Sequence, residues 1–96
     1  MVTFQDISRR REEILGVARR YGAHDVRVFG SVARGDATDT SDLDLVVRFE
    51  SDRTLLDHGG LVMDLRDLLH LKVDVVSEGA LQGRFGELVR REAVAL

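Results

Sequence analysis

Asp42 and Asp44 stand one residue apart at the mouth of the apolar run Leu43–Phe49, and a third aspartate, Asp74, lies inside the stretch "LKVDVV". On an extended strand, residues two apart project to the same side, so the first pair brings two like charges together. With both carboxylates ionised, that arrangement costs free energy unless a cation lies between them. Hard divalent cations such as Mg²⁺ prefer oxygen ligands, keep several waters, and are completed by substrate phosphates. Asp74 is enclosed by Lys72, Val73, Val75 and Val76, where an unpartnered buried carboxylate would be expensive. If its strand lies beside the second one, the three acids form a cluster. Such a cluster could hold two metal ions, one activating an attacking hydroxyl and one clamping a triphosphate.

Gly30 and Ser31 follow the first short apolar strand. A residue without a side chain lets backbone amides approach a phosphate, and Ser31 adds a hydroxyl at the start of a helical turn. Arg34 could bring positive charge over the phosphates. Taken singly, each residue has an ordinary role. Gly30-Ser31 is a turn, Asp42 a loop or cap residue, Asp44 an outward strand residue, and Arg34 a surface partner for Asp36. The combination is what points to chemistry. Two other glycine- or acid-based sites fail on their own patterns. Gly30 and Gly35 have the spacing of a phosphate-binding P-loop, but Asp36 replaces its lysine. After Asp42 and Asp44 comes Val46 in mid-strand, with no glycine, so a calcium hand cannot form.

The elements that must position these residues follow from periodicity. Phe4, Ile7, Ile14, Leu15 and Ala18 predict a helix over 4–21, stopped by Gly22. Its "RRREE" run reads as a solvated, ion-paired face rather than a nucleic-acid stripe. Val26–Phe29 is a first strand. In the second, Leu43–Phe49, one face holds Leu43, Leu45 and Val47, and the other Asp44, Val46 and Arg48. Leu61, Leu65, Leu68 and Leu69 predict a helix that starts after Gly59-Gly60 or bends there, since each glycine costs about 1 kcal/mol against alanine. Leu71–Val76 is a third strand. A terminal helix is expected to turn Phe85, Leu88 and Val89 inward. The order α-β-turn-β-α-β-α implies an α/β (α+β) domain on a small sheet.

A length of 96 residues, 44% apolar and 32% charged, suits one globular domain over 1–96. No apolar run approaches the ~18 residues a membrane span needs, and "MVTFQDISRRREE" lacks the apolar core of a secretion signal. The absence of cysteine excludes disulfides and thiolate metal sites and is compatible with the cytoplasm. A net charge of −3 argues against a bulk nucleic-acid coat. Neither a membrane nor a direct nucleic-acid partner is expected.

The pattern Gly30-Ser31, ten residues, then Asp42-Leu43-Asp44 resembles the signature of the DNA polymerase beta-like nucleotidyltransferase superfamily. "FGSVARGDATDTSDLDLVV", "LLHLKVDVVS" and "RREAVAL" look like its minimal branch, the MNT-domain antitoxins paired with HEPN-domain ribonuclease toxins. The resemblance runs from about Arg27 to the C-terminus. It implies the nucleotidyltransferase fold with a small mixed three-stranded sheet, and ATP with Mg²⁺ (two ions) as donor and cofactor. Gly30 and Ser31 would contact nucleotide phosphates, Asp42 and Asp44 would ligate metal, and Asp74 would help the catalytic metal and the incoming hydroxyl. The implied reaction moves AMP onto a tyrosine hydroxyl of the cognate toxin, releasing pyrophosphate and neutralising it within a hetero-oligomer. One departure is visible: His70-Leu71 stands where relatives often have glycine and a basic residue before the third strand. Glycine there ends a helix with positive φ, a conformation His70 can adopt at some cost.

Two other functions stay open on the sequence. One is a non-catalytic subunit that inhibits its partner by occlusion. The other is a nucleotidyltransferase subunit acting on a small hydroxylated antibiotic, which would need a companion acceptor domain.

Overall fold

The computed structural model describes all residues, Met1–Leu96. Its elements are α1 (Phe4–Arg9), α2 (Arg11–Arg20), β1 (Ala23–Phe29), α3 (Gly30–Arg34), β2 (Leu43–Phe49), α4 (Leu55–Leu69), β3 (Val73–Ser77), a 3₁₀ turn (Glu78–Ala80), α5 (Gly83–Glu92) and β4 (Val94–Ala95). The four strands form one mixed sheet in the order β3-β2-β1-β4. β2 runs parallel to β3 and antiparallel to β1, and β4 is antiparallel to β1. A parallel pair needs a long crossover, which α4 supplies.

The α/β class is as the sequence implies, but the sheet has four strands rather than three. β4 is two residues long, too short for any alternation to announce it. The predicted first helix is two helices that meet at Arg10. There the Arg10 guanidinium bonds Glu13 at 3.0–3.1 Å and the Leu68 carbonyl at 3.1 Å, tying the junction to α4. The "RRREE" run is a paired, solvated face, as expected. The short turn expected after β1, with Ser31 at the start of a helical turn, is the five-residue helix α3. Thr54 caps α4 in a reciprocal box with Asp57, and the helix then runs through Gly59-Gly60 without interruption. Gly60 earns its place by packing: a Cβ there would collide with the Tyr21 ring, whose hydroxyl donates to Asp64 at 2.6 Å.

The sheet is covered unequally. Leu43, Leu45 and Val47 of β2, with Val73 and Val75 of β3, face the main core under α1, α2 and α4. On the opposite face lies a small cluster of Phe29, Val46, Leu81 and Val89, covered by α5. Val89 is buried, but Phe85 and Leu88 are 55% and 47% exposed, contrary to the inward placement expected of them. The cluster beneath α5 is filled by Val89 and Leu81, and Gly86 lets the helix sit close to Leu81. Phe85 only touches Phe29 edge-on, with ring centroids 6.4 Å apart. Asp44 belongs to this less-covered face.

Candidate active site

The site is assembled where β1 ends and β2 and β3 begin. β1 and β2 pair so that Phe29 stands opposite Asp44, and β2 and β3 so that Asp44 stands opposite Asp74. The start of the parallel pair is clamped by the Leu43 amide donating to the Lys72 carbonyl at 2.9 Å. Paired residues project to the same face of a sheet, so Asp44 and Asp74 share the face of the small cluster. Asp42, two residues before Asp44, lies on the approach to that face. The three predicted acids are thus brought to one end of one surface.

Their environments differ from what the sequence suggested. Asp74 was expected to be enclosed, yet it is exposed. β3 is an edge strand, and the valines on either side of Asp74 point away from it into the main core, leaving its own face open. Asp42 is exposed as well, and Asp44 alone is partly buried. Burial, more than anything else, pushes the Asp44 carboxyl up to about 6; repulsion from Asp74 and Asp42 adds to this, and Arg34 opposes it. The carboxylates do not converge into a closed cage, since no three acidic or histidine side chains reach metal-ligand spacing. The donor set is nonetheless one that a hard divalent cation fits: oxygen only, on one open face, with a half-desolvated carboxylate at its centre.

Gly30 is demanded twice. Its φ of +74° lies in the left-handed region, and a Cβ would run into the Asp44 Oδ2 atom. The backbone can therefore pass close beside Asp44 only at a glycine. Ser31 follows in the first turn of α3, partly exposed. Arg34, at the end of α3, is not free over the site: it bonds Asp36 at 3.3 Å and both oxygens of Glu92 at 3.2 and 3.0 Å. Glu92 is the residue that sequence reasoning missed. Its carboxylate also accepts from the Gly30 amide at 3.4 Å, and its charge is among those raising Asp44. One local signal existed. Glu92 is the last residue of α5, where the helix dipole disfavours an acid, so a cation partner was to be looked for.

Asp44 and Asp74 line no concavity. The largest concavity, about 420 Å³, lies beside α3 between the N-terminal residues and Val94, and touches none of the three aspartates. Another of about 340 Å³ takes in Asp42 with His70, Leu71 and Lys72. The chemistry of the carboxylates, not cavity size, marks the site. His70 does close α4 in the left-handed conformation, with φ 56° and ψ 39°, so the replacement of glycine leaves the backbone turn intact.

A mixed sheet whose strand ends present a row of carboxylates beside a glycine turn fits the class of phosphate-ester transferases that the sequence resembles. Comparison with known proteins narrows the class: the nucleotidyltransferase domain model matches residues 11–94. The chain belongs to that family and is a nucleotidyltransferase. A protein adenylyltransferase, MntA of Thermococcus cleftensis, is 40% identical over 78% of this chain and 76% of its own length. A solved structure provisionally named a minimal nucleotidyltransferase superposes with a TM-score of 0.87 at 52% identity, covering 99% of this chain and 97% of that one. This similarity places the chain in the minimal branch. A toxin–antitoxin structure with AMP-PNP shares the fold at a TM-score of 0.75 and 20% identity, covering 88% of this chain and 69% of that one.

Proposed function

We propose that this chain is a Mg²⁺-dependent protein adenylyltransferase that moves AMP from ATP onto a tyrosine hydroxyl of a HEPN-domain ribonuclease toxin, and so acts as its antitoxin. The observation that carries the reading is the register of β2 and β3, which sets Asp44 directly beside Asp74 on an open face with Asp42 next to them. The adenylyltransferase relative and the fold shared with a toxin–antitoxin complex holding AMP-PNP support it.

In this reading Asp42, Asp44 and Asp74 hold Mg²⁺, which when bound neutralises triphosphate charge and assists ionisation of the acceptor hydroxyl. Gly30 and Ser31 receive the phosphates, with Arg34 beside them. The acceptor oxygen attacks the α-phosphorus, and the bond to the β-phosphate oxygen breaks. Pyrophosphate leaves with that electron pair. The hydroxyl proton passes toward Asp74, the exposed acid on the edge strand. A surface site suits a macromolecular acceptor, because a protein brings its own walls. No helix of the structure is long and apolar enough to cross a membrane, and the reaction is assigned to the cytoplasm, where ATP is abundant.

The test is transfer itself. The protein is mixed with its neighbouring-gene toxin, Mg²⁺ and ATP labelled at the α-phosphate, with γ-labelled ATP and Asp42→Asn in parallel. Label from the α-position alone, lost in the variant, is the expected result. A silenced toxin carrying no label would mean inhibition by binding, and would sink the enzymatic reading.

A further inference from the structure

We propose that Glu92 is a positioning residue of the nucleotide site: in the free protein its carboxylate holds Arg34 and the Gly30 amide in the places a nucleotide phosphate takes over, and it is displaced when nucleotide binds. The proposal rests on the reading of Gly30, Ser31 and Arg34 as phosphate contacts.

Three features of the structure carry it. The Glu92 side chain is only 17% exposed, in a protein whose other surface carboxylates mostly face solvent. It accepts from a guanidinium through both oxygens and from a backbone amide through one of them. A carboxylate in that position makes the same contacts as two oxygens of a phosphate. It also sits at the end of α5, where the helix dipole does not favour it, so Arg34 and Gly30 are what keep it there. α5 and α3 are otherwise distant in sequence, and this contact joins them across the mouth of the site.

The arrangement has a consequence for binding. Arg34 is already compensated by Glu92 and Asp36, so a bare triphosphate approaching Asp42, Asp44 and Asp74 meets a surface of its own sign. Entry therefore favours the magnesium complex, and Glu92 must yield its two donors. The isosteric Glu92→Gln keeps the packing and removes the charge. It should release Arg34 to the nucleotide.

Equilibrium binding of ATP, with Mg²⁺ and with EDTA, is measured on the full chain, on E92Q, on R34A, on the double variant of the two and on D44N. Thermal melts confirm that each is folded. E92Q is expected to bind ATP about tenfold more tightly than the parent, the scale of one charge-assisted hydrogen bond released, with the larger gain in EDTA. The gain should vanish in the R34A background, since the two residues act on one another. E92Q binding no more tightly than the parent, while the parent binds MgATP and Asp44→Asn does not, overturns the role of Glu92 and leaves the nucleotide site standing. Binding by neither parent nor E92Q overturns the site and this proposal together.

Discussion

The Asp44 carboxylate is held at the cost of stability, and Asp44→Asn measures that cost. In the folded protein its pKa stands at about 6 against a reference of 3.8. The folded pKa is raised, so below the unfolded value both states are protonated and the residue is neutral to stability. As pH rises from about 4 to about 6 the unfolded state releases its proton first, and stability falls; above that window the full penalty persists. A shift of roughly two units at about 1.4 kcal/mol each gives a ceiling of about 3 kcal/mol. Asp44 is only partly buried and solvent screens its neighbours, which reduces this to about 1–2 kcal/mol. Asp44→Asn should therefore stabilise the metal-free protein at about pH 8 by that amount, or roughly 5–10 °C in Tm for a domain of this size. Thermal and urea melts in EDTA across the pH range are the assay. The stabilisation should fade as pH falls through the window and be gone at about pH 3.5. An Asn variant no more stable than the parent at high pH, or equally stabilised at both ends, would refute the electrostatic account of the site.

Other perturbations have defined outcomes. Mg²⁺ and ATP together should raise the parent's Tm, and either Asp42→Asn or Asp44→Asn should abolish the rise; no shift in the parent would count heavily against the site. Gly30→Ala should cost about 2 kcal/mol or more in denaturant melts, from left-handed strain plus collision with Asp44, and should abolish AMP transfer. His70→Gly should stabilise the chain by about 0.5–1 kcal/mol while leaving transfer unchanged, because only the strained helix end is relieved. Thr54→Ala should cost about 1 kcal/mol through loss of the α4 cap, read as a lower urea midpoint.

Much of the candidate site's geometry could be read along the chain because its parts are local. Gly30-Ser31 and Asp42-Leu43-Asp44 are contiguous, and the alternation of Leu43, Leu45 and Val47 against Asp44 and Val46 correctly assigned the two faces of β2. What escaped depended on long-range pairing or on which surfaces are covered. Nothing in "SRRRE" predicts a helix break at Arg10, since no glycine or proline stands there. β4 exists because β1 has a free edge to pair with. Asp74 was taken for an enclosed residue because its neighbours are apolar, but they serve the opposite face of an edge strand. Phe85 and Leu88 follow the helical stripe of α5 but stay outside, because Val89 and Leu81 already fill the small cluster beneath the helix. Glu92 meets Arg34 across 58 positions of sequence, a distance no spacing rule spans.

The parallel register of β2 and β3 gives the buried valines a second task. Val73 and Val75 fit the main core only when they lie beside Leu43 and Leu45. A slip of one residue would turn Asp74 inward and a valine outward. The core therefore works as a gauge that spaces the acids from behind, without a single contact to substrate. Substitutions at Val73 or Val75 that loosen this gauge could weaken catalysis before they unfold the chain, and a screen for lost activity would find residues that never touch the nucleotide.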